Sequence, residues 1–179
     1  MDHLTETVLE TETIYEGRLV RLYRATVRLP NGETSIREIV RHPGAVAMVP
    51  LTPQGEVILV QQFRLPSGQI MLEIPAGTLK PGEDPLPAAH RELQEEIGLR
   101  PGRLTPLGGE FTAPGYTSEF IHLFLAEDLE PAPLAVDDDE FLETVTLPLD
   151  EALQRVESGA IQDGKTITAL LLVARRLGR

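Results

Sequence analysis

The chain has 179 residues, 41% of them hydrophobic, a length that suits one domain with at most a small appended subdomain and is enough to bury a core of its own. Lys and Arg total 16 against 28 Asp and Glu, a net charge of −12, which argues against nucleic acid and anionic membrane as partners because both need a concentrated positive field. With no cysteine, thiolate ligation and disulfide stapling are excluded; a cytoplasmic protein is the expectation, since the start Met1–Thr7 lacks a basic and then apolar leader and no window reaches the run of about 18 apolar residues a membrane span needs.

Residues 12–41 carry β-leaning runs, Leu19–Leu29 and Thr34–Val40, hinged at Pro30-Asn31-Gly32, where the Asn-Gly pair signals a hairpin. His42-Pro43-Gly44 then punctuates the chain and predicts a boundary between an N-terminal β unit, residues 1–42, and a main domain, residues 43–179. Strands are predicted over Ala45–Leu51 and Glu56–Phe63, joined by a turn at Pro53-Gln54-Gly55, and their nearly continuous apolar character predicts burial on both faces. A strand over Ile70–Ile74 leads into a charged segment at residues 77–99. Beyond it, strands are predicted over Arg103–Glu110, Glu119–Ala126 and Phe141–Leu147. Helices are predicted over Leu149–Glu157, stopped at Ser158-Gly159, and over Thr166–Leu177, ending at Gly178. Strands and helices that do not alternate regularly predict an α+β fold, a mixed sheet with helices on its faces.

The charged segment sets Gly77, Glu83, Arg91, Glu92, Glu95, Glu96 and Gly98 at fixed spacings around one predicted helix. Asp84 suits the N-cap, Pro85 the first helical position and Gly98 the residue just past the end. Leu86, Ala89, Leu93 and Ile97 recur at helical spacing and predict the core-facing stripe. Glu92 and Glu96 lie four apart, with Glu95 three beyond Glu92, so the three carboxylates project from one neighbouring face. Like charges stacked in this way weaken a bare helix by about a few tenths of a kcal/mol per pair, so a compensating cation is expected. Hard oxygen ligands on a rigid face suit Mg²⁺ or Mn²⁺, and such ions can activate a water and neutralise a transferring phosphoryl group. Taken alone, a Glu-x-x-Glu-Glu pattern is more often an ordinary solvated acidic face. Arg91 stands four before Glu95 and is expected to pair along the helix or reach back to Glu83. Gly77 and Gly82 bracket the entry loop, where positive φ or close backbone approach would be easy.

Taken together, Gly77, Glu83 and the run Arg91-Glu92-Leu93-Gln94-Glu95-Glu96-Ile97-Gly98-Leu99 resemble the signature box of the Nudix hydrolases, with every position filled. At an average usage of roughly 7% per residue type, the fixed identities coincide by chance about once in 10⁸ windows. The resemblance implies a Nudix α/β/α sandwich in which Glu92, Glu95 and Glu96 bind metal and serve catalysis. It also implies that the Ala76 carbonyl adds a ligand and that Arg91 orients the box glutamates. Pro114, followed by Gly115 and Tyr116, resembles the ADP-ribose pyrophosphatase subgroup, as do the segments Arg37–Ala47, Gln62-Phe63-Arg64 and Leu72–Gly77. For that subgroup the implied substrate-binding residues are Arg37, Arg64, Pro114 and Gly115, and the N-terminal β unit swaps across a two-fold homodimer. The arginine fork fits phosphate oxygens well.

The acidic run Asp137–Glu140 falls where such relatives carry a mobile loop with the catalytic base. Glu140 fits that position best, Asp138 and Asp139 compete for it, and a solvated acidic turn is the alternative. With no Trp, three Tyr and five Phe, adenine would have to stack on Tyr15, Tyr23, Phe63 or an arginine plane. The expected function is therefore a homodimeric, Mg²⁺-dependent hydrolase (Mn²⁺ as alternative) that splits ADP-ribose into AMP and ribose 5-phosphate. Another nucleoside diphosphate sugar, such as ADP-glucose or GDP-mannose, is the near alternative. A non-catalytic ADP-ribose sensor is the distant one, disfavoured by the −12 charge and the intact box.

Overall fold

Alternation of branched and charged residues, punctuated by Asn31-Gly32, builds an N-terminal sheet. The computed structural model describes residues 2–135 and 141–179, and in it β1 (Thr7–Glu16), β2 (Arg21–Arg28) and β3 (Thr34–Arg41) pair antiparallel in that order. The hairpin turn closes as predicted: the Leu29 amide donates to the Glu33 carbonyl at 2.8 Å, and Gly32 takes φ +89°. Ala25 and Val27 supply the buried side of β2, whereas every residue of β1 is exposed. The expectation of β structure from residue 12 onward thus began too late; β1 starts at Thr7, and its exposure leaves no alternating burial for a sequence to betray. This sheet belongs to a compact unit formed by Met1–Gly44 and Phe111–Phe120. Within it, Val40 exchanges backbone hydrogen bonds with Tyr116 at 2.8 Å and Ser118 at 3.0 Å.

The second unit comprises Ala45–Glu110 and Ile121–Arg179. Here β4 (Ala45–Pro50) lies inside a four-stranded sheet with β7 (Ala76–Thr78), β9 (Phe120–Pro131) and β8 (Leu99–Phe111), ordered β7-β4-β9-β8. It pairs antiparallel with β7 and parallel with β9, so the sheet is mixed. A separate antiparallel sheet is ordered β10 (Leu142–Pro148), β5 (Glu56–Arg64), β6 (Gln69–Glu73). Three helices complete the unit: α1 (Pro85–Glu96), α2 (Leu149–Glu157) and α3 (Gly164–Arg176).

Every residue of β4 is buried, and alternate side chains enter different cores. Ala45, Ala47 and Val49 pack with Leu123, Leu170 and Val173, on the side of α2 and α3. Val46 and Met48 pack with Ala88, Ala89, Leu93 and Phe124, on the side of α1. A strand covered on both faces is what its unbroken apolar run predicted. Together the layers give an α+β fold with helices on both faces of a mixed sheet. Details differ from expectation. α3 begins at Gly164 rather than Thr166 because Asp163 caps it. Leu86, placed in the buried stripe of α1 by angle, sits in its first turn and is exposed.

Candidate active site

The helix that carries the box carboxylates is fixed at both ends by its own sequence. Asp84 takes an extended backbone, accepts a hydrogen bond from the Leu86 amide at 3.0 Å, and is followed by Pro85 at the first helical position. At the other end Gly98 adopts φ +68°, a left-handed conformation that only glycine enters freely. The entry loop is closed by Glu83, whose amide donates to the Lys80 carbonyl at 2.9 Å and whose Oε2 accepts from the Lys80 amide at 2.9 Å.

Arg91 is the cation that the stacked glutamates require. Its Nε and Nη2 reach back to the Glu83 carboxylate at 3.1 and 2.9 Å, and its Nη1 donates to Glu92 at 2.6 Å and Glu95 at 2.8 Å. One planar guanidinium therefore orients three carboxylates, a task its fixed fork suits and an ammonium does not. Burial alone would lower the Arg91 pKa, but the hydrogen bond to Glu83, the charge of Glu92 and the hydrogen bonds to Glu95 and Glu92 outweigh it and raise the value. Reciprocally, the hydrogen bond from Arg91 holds Glu83 below the usual carboxylate range against the opposing effect of its partial burial.

Glu92 and Glu96 are only 6% exposed each, because strand β7 lies against them. The Ala76 amide donates to Glu96 Oε2 at 3.0 Å. At Gly77 an added Cβ would lie 1.9 Å from the Glu92 carboxyl carbon, so a side chain there would occupy the carboxylate's own place. Gly77 is thus required for close approach and not for backbone conformation, whereas Gly82 takes a positive φ of +76°. Ala76, Gly77, Glu83, Arg91, Glu92, Glu95 and Glu96 are in this way brought together in the second unit.

A second charged network in the same unit was not anticipated. Arg64, at the end of β5, makes a two-pronged pair with Glu73 of β6, Nε to Oε1 and Nη2 to Oε2, both at 2.8 Å. Lys165 of α3 also donates to Glu73 Oε2 and pairs with Asp163 at 3.0 Å. Glu73 is 1% exposed. Burial would raise its pKa, yet the Arg64 hydrogen bond and the Lys165 charge lower it. The sequence did carry one sign of this role: a glutamate set between Leu72 and Ile74 on a buried strand must be compensated.

The remaining expected residues divide between the units. In the first, Arg37 of β3 pairs with Glu6, its Nε donating at 3.1 Å, and its Nη1 donates to Ser35 Oγ and to the Ile36 carbonyl at 3.0 Å each. Pro114 and Gly115 form an exposed turn there, closed by the Tyr116 and Thr117 amides donating to the Ala113 carbonyl at 3.1 and 3.0 Å. Of the aromatics proposed to stack adenine, Tyr23 already has the Arg41 guanidinium 4.9 Å above its ring. Phe63, in the second unit, is exposed on a groove it shares with Ile70, Phe141 and Glu143. Glu140, with its competitors Asp138 and Asp139, lies outside the described residues.

The NUDIX domain family matches residues 41–170, and the nucleoside diphosphate sugar hydrolase N-terminal domain family matches residues 6–40. The chain belongs to the Nudix family. It is 44% identical to an ADP-ribose pyrophosphatase of Bacillus subtilis over 95% of this chain and 93% of that protein. It is 45% identical to a methanol dehydrogenase activator of Bacillus methanolicus over 92% of this chain and 90% of that one. A solved structure, an ADP compounds hydrolase, superposes with a TM-score of 0.86 at 29% identity, covering 97% of this chain and 95% of its own.

Nudix hydrolases generally use divalent metals, and the donor chemistry of this member fits one. Two buried carboxylates a turn apart, Glu92 and Glu96, with Glu95 next to them on α1, offer oxygen donors of the kind a hard cation takes, and the Ala76 amide holds Glu96. As placed, among the described residues, no three acidic or imidazole groups converge on one point, and the Arg91 guanidinium bridges Glu92 and Glu95. Also among the described residues, no helix is long and apolar enough to cross a membrane.

Proposed function

We propose that this Nudix protein is a Mg²⁺-dependent hydrolase that cleaves the diphosphate of ADP-ribose. Water attacks one phosphorus, the bond from that phosphorus to the bridging oxygen breaks, and AMP and ribose 5-phosphate leave as the two monophosphates. The observation that carries the reading is the Arg91 clamp, which holds Glu83, Glu92 and Glu95 while the Ala76 amide holds Glu96. Glu92, Glu95, Glu96 and the Ala76 carbonyl would hold the metal, with Mn²⁺ as a substitute. When bound, the metal supplies charge neutralisation on the phosphoryl oxygens and acidifies the attacking water. Arg64 grips the diphosphate from the end of β5, and Glu140 takes the water's proton.

The N-terminal β unit, residues 1–42, is proposed to swap across a homodimer, where Arg37, Pro114 and Gly115 of one copy complete the nucleoside site. Exposed apolar side chains on that unit, including Val8, Ile14, Leu19 and Ile36, support a covering partner copy. A cytoplasmic location is part of the same proposal, in keeping with a chain that has no cysteine. The likeness to ADP-ribose pyrophosphatases favours ADP-ribose over ADP-glucose or GDP-mannose.

The test is chromatographic product analysis of wild type and Glu96→Gln with ADP-ribose, with and without Mg²⁺. Gln keeps an acceptor for the Ala76 amide and removes only the charge, so the variant is expected to fold and to lose about 100-fold or more in kcat, roughly 2.7 kcal/mol of transition-state stabilisation. Near-normal turnover by Glu96→Gln at saturating Mg²⁺ would refute the metal role. If ADP-ribose survives intact while ADP-glucose or GDP-mannose is cleaved, the chemistry stands and the substrate changes.

A further inference from the structure

We infer that Lys165 is a positioning residue for this reaction: anchored on the first turn of α3, it holds Glu73, and through Glu73 it aims the Arg64 guanidinium at the substrate diphosphate. The inference rests on the reading that Arg64 grips the diphosphate.

Charge counting makes Lys165 conspicuous. Arg64 alone, bonded through two nitrogens to both oxygens of Glu73, already neutralises that buried carboxylate. A second cation on the same Oε2, its side chain only 11% exposed, is more than neutrality needs, and Asp163 in turn balances it at 3.0 Å. The result is an alternating row, Arg64, Glu73, Lys165, Asp163. Were Lys165 absent, Glu73 would have Arg64 as its sole charged partner, and the bonded pair could shift together at the end of a short strand. With it, Oε2 is held by a cation from α3 as well as by Arg64, and the plane of the carboxylate sets the plane of the guanidinium.

The anchor is built from backbone contacts. Asp163 caps α3, accepting from the Thr166 amide at 3.0 Å and the Thr166 hydroxyl at 2.5 Å. The same Thr166 Oγ1 accepts from the Ile74 amide at 2.9 Å, with both residues fully buried. Two residues on, the Ala76 amide meets Glu96. The segment that follows Glu73 is therefore pinned to α3 at Ile74 and to the box helix at Ala76. Arg64 spends its Nε and Nη2 inward, and among the described residues its Nη1 has no hydrogen-bond partner. Its side chain is 41% exposed, which leaves that edge available to a phosphate oxygen. Arg64 also feels the negative charge of Glu96, which puts it within the field of the box carboxylates.

The test is a double-mutant cycle of Arg64→Ala and Lys165→Met, read as KM and kcat for ADP-ribose at saturating Mg²⁺. Lys165→Met is expected to raise KM about tenfold with kcat within about threefold, and Lys165→Arg to recover most of the loss. In the Arg64→Ala background, itself raised in KM, Lys165→Met should change KM no further, because the residue it acts through is gone. An equal KM increase in both backgrounds would mean a general structural role and would overturn the inference, as would an unchanged KM for Lys165→Met beside a raised one for Arg64→Ala. If Arg64→Ala leaves KM unchanged, the diphosphate reading fails and the inference falls with it. Should Lys165→Met not fold, Glu73→Gln takes its place in the same cycle with the same expectations.

Discussion

Gly77 shows how a single absent atom makes room for a functional group. Its backbone is not in the left-handed region, so no conformational argument demands glycine; what does is the Glu92 carboxylate, whose carbon lies 1.9 Å from where a Cβ would stand. Gly77→Ala must therefore move one of them, and the cheaper movement is a rotation at the far end of the glutamate side chain. That displaces Glu92 from Arg91 Nη1, now at 2.6 Å, while disturbing little of the core. The expected outcome separates function from folding: kcat falls by about 100-fold or more, and Tm by only about 2–4 °C, the equivalent of roughly 1 kcal/mol in a chain of this size. Thermal unfolding and steady-state rates measured on one preparation check both halves. A large drop in Tm with proportionate activity would show instead that the strand moves and the carboxylate stays.

At the scale of the element, α1 is a rigid shelf whose ends are written locally. Asp84→Ala removes the acceptor for the Leu86 amide, now 3.0 Å away, and should cost about 1 kcal/mol, seen as a Tm lower by about 2–4 °C. Because the cap lies seven residues before Arg91, kcat should stay within about twofold; a tenfold loss would mean that fraying reaches the clamp. Such local signals explain which elements were legible. The helix declared itself through Asp84, Pro85 and Gly98, and β4 through an apolar run that two cores share. The Arg91 clamp was legible for the same reason, since its partners lie one to eight positions away along the chain. β1 was not, because ten exposed residues carry no face, and β7 was not, because three residues carry no period. Glu73 and Lys165 are 92 positions apart, and no local pattern joins two charges that meet only when α3 docks beside β6.

For the molecule as a whole, a net charge of −12 means that folding at neutral pH confines excess negative charge, and acidification first relieves that repulsion. What limits stability further down is the set of carboxylates bound as anions. Glu73 and Glu83 both have folded pKa values below the ordinary 4.5, Glu73 despite burial because Arg64 and Lys165 bind its anion, and Glu83 chiefly through its hydrogen bond from Arg91. In the window between the lowered folded values and 4.5 the unfolded chain binds more protons, so stability rises with pH there. The contribution of each group is complete above about pH 4.5 and drains away as pH falls through its folded value. Glu73→Gln isolates one of them. At pH 7 it leaves two cations facing a neutral amide, a loss of about 2 kcal/mol, set below the 3–5 typical of broken buried pairs because Arg64 is partly in water. The difference in Tm between wild type and variant should thus be constant from pH 7 to about 5 and shrink progressively below about 4.5, as the native Glu73 itself becomes protonated. Differential scanning calorimetry from pH 7 to 3 on both proteins measures that difference directly. A gap that persists undiminished at the acid end would show that the substitution costs packing and that the charge of Glu73 contributes little.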